Sequence, residues 1–219
     1  MAARFIDVSH PIEPGMQTYP GLPVPEAKVF FDYDESRERY QGQAEFYIAS
    51  LHLCGNTGTY VDAPLHRFRG AADLASLPLA SLAHLPVVTV RARGATAVGP
   101  AAFRGVSLAG KAVIVETGWA VHWRTPRYFE PNPHLTADAC RYLRDAGVKL
   151  VGIDSVNIDS MSDLARPAHT TLLGAGIPVC EHMTNLAALP DTGGFLHAVP
   201  IPWVGGATFP VRAYVMIDA

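Results

Sequence analysis

The segment between residues 111 and 154 contains the pattern that most restricts the fold. Two nearly continuous apolar runs, Lys111–Trp119 and Val148–Asp154, are typical of strands that are covered on both faces of a sheet. Between them the sequence predicts a helix that has Thr136 as its N-cap and ends at Gly147. A strand, a helix and a strand in this order predict a right-handed crossover between parallel strands. The apolar stripe of the helix consists of Ala139, Cys140, Leu143 and Ala146.

Further short elements are predicted on both sides of this unit. Glu45–Leu53 carries apolar residues on both faces, which predicts a strand buried on both sides, whereas the polar segment Asp34–Gln43 predicts a solvated turn or lid. Ala168–Leu173 is a second helix candidate. The whole chain, residues 1–219, is therefore predicted to be a single α/β domain with a mixed sheet, rich in strand and loop and poor in helix. The other strand candidates are Phe5–Ser9, Lys28–Tyr33, Pro86–Val90, Ile177–Glu181 and Val211–Ile217.

Composition excludes several classes of function. The net charge of -3 gives no electrostatic reason to expect nucleic acid or an anionic membrane as a partner. No apolar stretch approaches the roughly 18 residues that a membrane span requires, and the N-terminus lacks the apolar core of a signal peptide. Cys54, Cys140 and Cys180 have no paired spacing, which indicates reduced thiols. We therefore expect a soluble cytoplasmic protein.

The stretch Gly55–Arg67 holds a carboxylate, a histidine and two glycines within a dozen residues. Asp62 and His66 are four residues apart, but Pro64 between them disfavours a shared helix face. We expect the two side chains to converge from a turn or from the end of a strand. Taken alone, such a spacing more often reflects a turn cap and a surface histidine than a functional pair.

Four other residues complete the set of candidate metal ligands and acid/base groups. Asp154 and Glu181 each end an apolar strand, where α/β proteins commonly carry functional groups. Asp159 and His169 are the other two. Taken alone, each strand-end carboxylate is more often exposed to solvent, and His169 is more often a structural histidine than a ligand.

Four blocks of sequence, in order along the chain, carry a family resemblance. They are Phe5–Gly21, the stretch Gly55–Arg67, Val151–Asp159, and the late group of His169, Glu181 and Thr184–Leu186. Together they resemble the cyclase family, which includes bacterial kynurenine formamidase (arylformamidase) and isatin hydrolase. The resemblance covers nearly the whole chain. It implies a swivelling β/β/α domain, a small-molecule substrate, and assembly as a homodimer or homotetramer.

The resemblance also implies a ligand set, with two departures. In the family signature, His-x-Gly-Thr-His-x-Asp-x-Pro-x-His, the first histidine falls on Asn56 and the second on Tyr60. In the family's zinc formamidases those two histidines and the aspartate bind one metal ion. The aspartate, the late histidine and the late glutamate bind another. Carried over, only the second site is complete, with Asp62, His169 and Glu181 as ligands of one Zn²⁺ or Mn²⁺.

An amide is a poor ligand for zinc, and a phenol resists ionisation, so Asn56 and Tyr60 do not replace two imidazoles. Asn56 is left as a weak ligand or a substrate contact. His52 and Cys54 lie close by in sequence, but no spacing favours them as substitutes.

The implied function is a metal-dependent hydrolase of an amide, formamide, cyclic amide or lactone. Metal-activated water would attack the carbonyl, and His66 would serve as acid/base. Tyr60 either donates a hydrogen bond to the oxyanion or fills the space of a missing metal ion. Two alternatives stay open: a binding or regulatory protein on a decayed enzyme scaffold, and a cyclase or dehydratase of a small metabolite.

The proline-rich loop from His10 to Pro25 gives a hint of assembly. Met16, Tyr19 and Leu22 make it too apolar to lie free in water. We expect this loop to pack across a subunit contact.

Overall fold

The computed structural model describes residues 3–217, and a nine-stranded mixed sheet forms their centre. In chain order, the strands are β1 Arg4–Asp7, β2 Glu26–Phe31, β3 Ile48–His52, β4 Tyr60–Asp62, β5 Leu85–Arg91, β6 Ala97–Val98, β7 Ala112–Glu116, β8 His134–Leu135, β9 Leu150–Ile153, β10 Val179–Glu181, β11 Thr192–His197, β12 Thr208–Pro210 and β13 Tyr214–Ile217. The α-helices are α1 Tyr33–Arg39, α2 Ala137–Asp145 and α3 Pro167–Gly174.

The strand order in the large sheet is β1-β13-β11-β5-β7-β9-β10-β4-β12. The four central strands, β5, β7, β9 and β10, are parallel, and the outer strands pair antiparallel. Two-stranded sheets are formed by β2 with β3 and by β6 with β8. The fold is therefore α/β with a mixed sheet and few helices, as the sequence predicts.

The central strands are buried on both faces. All residues of β7 and β9 are buried, and alternate residues enter different core clusters. Ala112 and Ile114 pack with the cluster that contains Leu196, whereas Val113 and Val115 pack with the cluster under α2. This period of two is what continuous apolar strands produce when layers cover both sides of the sheet.

The helix between these strands forms where the sequence predicts it. The Thr136 side chain accepts a hydrogen bond from the Ala139 amide and so caps α2, and Ala139, Cys140 and Leu143 are buried. Gly147 follows with a φ of 74°, a left-handed conformation that favours glycine. Because β7 and β9 pair in parallel, α2 is the crossover between neighbouring strands.

Gly152 in β9 permits close packing under the sheet. A Cβ atom there would lie 2.5 Å from Met183 Sδ and 2.7 Å from Ile114 Cδ1. We expect Gly152→Ala to destabilise the protein by about 1–3 kcal/mol, because a packed core resists an added carbon. Gly99→Ala is the control, since a Cβ atom at residue 99 would have no neighbour within 4 Å. Urea unfolding measures both variants, and equal stabilities would contradict the expectation.

The predicted strand Glu45–Leu53 differs from the structure in extent and in burial. Only Ile48–His52 forms a strand, all five residues are exposed, and its partner is β2 rather than the large sheet. Leu51 remains 52% exposed. Apolar residues on both faces show that burial of the strand would be favourable, but they do not show that another part of the chain packs on it. The prediction of burial on both sides is therefore wrong.

The polar segment Asp34–Gln43 is also more ordered than predicted. Its first part belongs to α1, which begins after Asp32. Asp32 and Glu35 form a reciprocal capping box, in which each side chain accepts a hydrogen bond from the other residue's backbone N–H. This pair stabilises the start of a helix, so the prediction of a solvated turn or lid is wrong for residues 34–39.

The proline-rich loop packs against its own chain. Met16 is buried, and the Thr18 hydroxyl donates to the Asn56 carbonyl oxygen at 2.9 Å. Tyr19 and Leu22 are half-buried beside the cavity described below. The chain itself therefore buries Met16 but leaves Tyr19 and Leu22 half-exposed, and the predicted subunit contact of this loop stays a prediction. The oligomeric state itself stays a prediction. Within residues 3–217, no helix has the length and apolar character needed to cross a membrane.

Candidate metal centre and active site

The candidate site forms where two antiparallel strands of the large sheet meet a helix. Asp62 is the last residue of β4, and Glu181 is the last residue of β10. His66 lies on a short 3-10 helix, Pro64–His66, directly after β4. His169 lies in the first turn of α3. Asp62 and His66 thus converge from a strand end and a turn, as Pro64 predicted.

The ligand atoms of Asp62, His66 and His169 all lie within 4.8 Å of one another. His169 Nε2 is 3.7 Å from Asp62 Oδ2 and 3.6 Å from Glu181 Oε1. His66 Nε2 is 4.0 Å from Asp62 Oδ1. Asp62, His66 and His169 therefore form one group of potential ligands, and Glu181 adjoins this group through His169. More than 100 residues separate Asp62 from His169 in sequence.

Asp62 provides the test of whether these residues suit a metal ion. The residue is fully buried, and neither of its carboxylate oxygens has a hydrogen-bond partner among the described residues. A buried carboxylate without donors is unfavourable unless a cation compensates it. Carboxylate oxygens and imidazole nitrogens are also ligands that Zn²⁺ and Mn²⁺ accept. The residues present therefore fit a divalent metal ion.

Asp159 fixes the orientation of His169. Its carboxylate lies 2.6 Å from His169 Nδ1 and accepts hydrogen bonds from the amides of Ala168 and His169. The other ring nitrogen, Nε2, is then directed at Asp62 and Glu181, which is the arrangement that supports histidine ligands in metal sites. Asp159, a candidate ligand by sequence, thus has a positioning role that spacing alone did not reveal.

The charges around His169 are unbalanced. Burial opposes a charged imidazole, yet the hydrogen bond to Asp159 and the neighbouring carboxylates raise the pKa of His169 to about 10. Burial raises the pKa of Glu181 to about 7. Asp62, Asp159 and Glu181 therefore surround a single imidazole, and the cluster has a strong preference for additional positive charge.

The two strand-end carboxylates are buried, against the expectation for each taken alone. Asp154 accepts hydrogen bonds from the Thr117 amide and hydroxyl and from the Gly118 amide. Glu181 Oε1 accepts from the Ile158 amide at 2.6 Å. These partners come from distant parts of the chain, so a strand-end position could not reveal them.

The resemblance places Tyr60 and Asn56 against the two histidines of the family signature, and in the structure both side chains have partners inside the protein. Tyr60 is opposite Glu181 in the β4–β10 ladder, and its hydroxyl donates to Glu181 Oε2 at 2.5 Å. Burial raises the pKa of Tyr60 well above its usual value, so the phenol stays neutral. Asn56 Oδ1 accepts from the Thr208 hydroxyl at 3.1 Å. In this arrangement Tyr60 donates its single hydroxyl proton to Glu181, so it has no second proton to donate to an oxyanion.

His66 lies at the open side of the cluster. Its side chain is 34% exposed, and burial lowers its pKa below 6.5, so the ring is neutral at pH 7. His52 is exposed on β3 and Cys54 is half-buried, and neither lines the cavity. The cavity measures about 280 Å³. Its walls are Tyr19, Leu22, Asn56, Tyr60, His66, Arg67, Asn157, Arg166, His169 and Glu181.

Known proteins are similar to this chain over most or all of its length. The Cyclase family model, described as "Putative cyclase", matches residues 6–160. A kynurenine formamidase from Salinibacter ruber is 33% identical over 219 residues, which cover 98% of each chain. A solved structure described as a potential metal-dependent hydrolase with cyclase activity is 25% identical, with a TM-score of 0.81 and complete coverage of both chains. Isatin hydrolase A from Labrenzia aggregata, at 21% identity, supports the fold alone, with a TM-score of 0.83 over 99% of this chain and 94% of that chain.

Fold, site and similar proteins together define a metal-dependent hydrolase. The chain belongs to the cyclase family. The predicted family, fold class and enzyme class, a hydrolase of carbon–nitrogen bonds other than peptide bonds, are therefore confirmed.

Proposed function

We propose that this chain hydrolyses a small amide, formamide, cyclic amide or lactone with the aid of one divalent metal ion, Zn²⁺ or Mn²⁺. Asp62, His169 and Glu181 would hold the ion. The observation that carries the proposal is the fully buried Asp62 carboxylate, which lacks any hydrogen-bond donor among the described residues and lies 3.7 Å from His169 Nε2. The formamidase relative favours a formamide as the substrate.

The bound ion would supply Lewis acidity, which acidifies water and polarises a carbonyl oxygen. His66 acts as the general base, because its neutral imidazole is accessible from the cavity and adjoins Asp62. His66 takes a proton from the attacking water, and the resulting imidazolium returns it to the leaving nitrogen of an amide or the leaving oxygen of a lactone. Asp159 holds His169 in one orientation. We assign Tyr60 to positioning Glu181 rather than to oxyanion binding, since its hydroxyl already donates to that carboxylate.

We expect purified protein to contain about one Zn²⁺ or Mn²⁺ per chain, and Glu181→Ala to lose it. Three protein ligands hold a catalytic zinc ion, and two seldom do. Metal analysis after dialysis measures the content. Glu38→Ala, which removes an exposed glutamate on α1, is the matched control and should keep its metal. Two fully occupied sites in anomalous scattering would show that Asn56 and Tyr60 do not disrupt the first site.

The second candidate function is a binding or regulatory protein that has lost catalysis. The hydrogen bonds of Tyr60 to Glu181 and of Asn56 to Thr208 favour it, because both groups are satisfied without a metal ion. A chain that takes up no metal after supplementation with Zn²⁺ or Mn²⁺ would support this alternative and contradict the hydrolase.

We also propose a cytoplasmic homodimer or homotetramer. The support is the isolated β2–β3 sheet, on which Phe30, Ile48 and Leu51 are about half exposed. Light scattering at micromolar concentration should give a mass of at least twice 23.5 kDa. A monomeric mass under those conditions would contradict the assembly.

A further inference from the structure

Two arginines form part of the cavity wall beside the candidate active site. Arg67 directly follows His66, and Arg166 directly precedes α3, the helix that carries His169. Both line the cavity. Across residues 3–217, neither guanidinium forms an ion pair with a carboxylate, in contrast to Arg91 and Arg93, which share Glu116.

Neutral groups hold both side chains in place. Arg67 donates from Nε to the Thr170 hydroxyl and from Nη2 to the Ala165 carbonyl oxygen, each at 3.0 Å. Both bonds fix the orientation of the guanidinium, and neither removes its positive charge. Arg67 therefore presents an oriented cation at the cavity.

Arg166 is held in a similar way on the other side. It donates from Nη1 to the Ser160 carbonyl oxygen at 3.2 Å and to Asn157 Oδ1 at 3.4 Å. Its Nη2 lies 3.4 Å from the Tyr19 hydroxyl, on the proline-rich loop. Asn157 and Tyr19 themselves line the cavity, so this arginine belongs to its polar wall.

Uncompensated guanidinium groups in a small cavity attract anions. They bind carboxylates with charge-assisted hydrogen bonds, which are stronger than bonds between neutral groups. The negative groups of the site, Asp62 and Glu181, lie in the metal centre and are not paired with either arginine. Among the described residues that line the cavity, Glu181 is the one carboxylate, and it already accepts hydrogen bonds from the Tyr60 hydroxyl and the Ile158 amide.

We propose that the substrate carries a carboxylate near the bond that is cleaved, and that Arg67 and Arg166 bind this carboxylate. This inference rests on the proposed amide hydrolysis and specifies its substrate class. A cavity of about 280 Å³ with Leu22 and Tyr19 in its wall suits a compact, partly apolar acid, such as an acylated aromatic amine with a ring carboxylate.

The test compares two formamides that differ only in that carboxylate: 2-formamidobenzoate and formanilide. For the metal-loaded wild type, we expect kcat/KM to be at least about tenfold higher for 2-formamidobenzoate, in line with hydrogen bonds to a charged group. Arg166→Gln should lower this preference by about tenfold or more. Residue 166 has a left-handed backbone with a φ of 50°. Glutamine is unbranched at Cβ, as arginine is, so the substitution should not add backbone strain. Arg67→Gln is the second variant, in case the first folds poorly.

Arg69→Gln is the matched control, because Arg69 is exposed and does not line the cavity. The ratio of its kcat/KM for 2-formamidobenzoate to that for formanilide should equal the wild-type ratio. A wild-type ratio near one, or a ratio that both cavity variants leave unchanged, would overturn the proposal.

A binding measurement separates this inference from the proposed function. Calorimetry with metal-free protein should show tighter binding of 2-aminobenzoate than of aniline, and Arg166→Gln should weaken binding of the acid by about tenfold. Since no metal ion is present, a metal–carboxylate bond cannot account for the difference. If the loaded wild type hydrolyses neither formamide yet this pattern holds, the proposed hydrolysis fails and the carboxylate site stands. Equal binding of both amines would overturn the carboxylate site.

Discussion

Replacing His66 with asparagine is expected to lower formamide hydrolysis by about 10²–10⁴-fold, the usual contribution of a positioned general base. Metal content and thermal stability should stay nearly unchanged, because the side chain lies at the open side of the cluster and is 34% exposed. The lowered pKa of this ring, caused first by burial, keeps it in the basic form at neutral pH. Steady-state kinetics, metal analysis and thermal unfolding measure the three properties.

The geometry also allows another role for His66, which the same variant tests. Its Nε2 lies with ligand atoms of Asp62 and His169 inside a 4.8 Å group, so it could bind the metal ion itself. In that case His66→Asn would lose metal together with activity. His52→Asn is the control, because His52 is exposed on β3 and should tolerate the change. Full activity of the His66 variant would contradict the mechanism.

The centre of the fold could be predicted because its pattern is local. Continuous apolar runs at β7 and β9 require cover on both faces, and Thr136 and Gly147 delimit the helix between them. Each of these signals acts within a few residues of the element that it defines. The structure reproduces the predicted elements and their parallel pairing.

Burial of single polar groups could not be predicted in this way. A strand-end position favours solvent for Asp154 and Glu181, but amides from residues 117, 118 and 158 reach them in the folded chain. The strand β3 is the opposite case: its apolar side chains predicted burial, but no other part of the described chain packs over them. In both cases the deciding partner is distant in sequence.

The candidate site also contains residues that the sequence could identify and residues that it could not. Resemblance to a family groups Asp62, His66, His169 and Glu181. The structure brings ligand atoms of the first three within 4.8 Å of one another and places Glu181 3.6 Å from His169. No such signal marks the guanidinium groups of Arg67 and Arg166, which lack a carboxylate partner among residues 3–217. Whether an arginine lacks a carboxylate partner is a property of the folded surface, and no spacing in the sequence reports it.

Replacing Asp62 with asparagine is expected to abolish metal binding and hydrolysis and, at the same time, to stabilise the metal-free protein. The wild-type carboxylate is fully buried, lacks hydrogen-bond donors among the described residues, and shares one imidazole with Asp159 and Glu181. Removing this charge should relieve about 1–3 kcal/mol of desolvation and repulsion. For a chain of this length, each kcal/mol corresponds to about 2–4 °C in Tm.

Thermal unfolding in the presence of a chelator measures this gain, and added Zn²⁺ or Mn²⁺ should then raise the Tm of the wild type but not of Asp62→Asn. Asp154→Asn is the matched control, because that buried carboxylate is fully engaged by Thr117 and Gly118. Asp154→Asn should therefore lower the stability of the protein both with and without the metal ion. If Asp62→Asn instead destabilises the metal-free protein as much as Asp154→Asn does, then the protein already compensates the Asp62 charge. The orphaned carboxylate would in that case no longer argue for a cation.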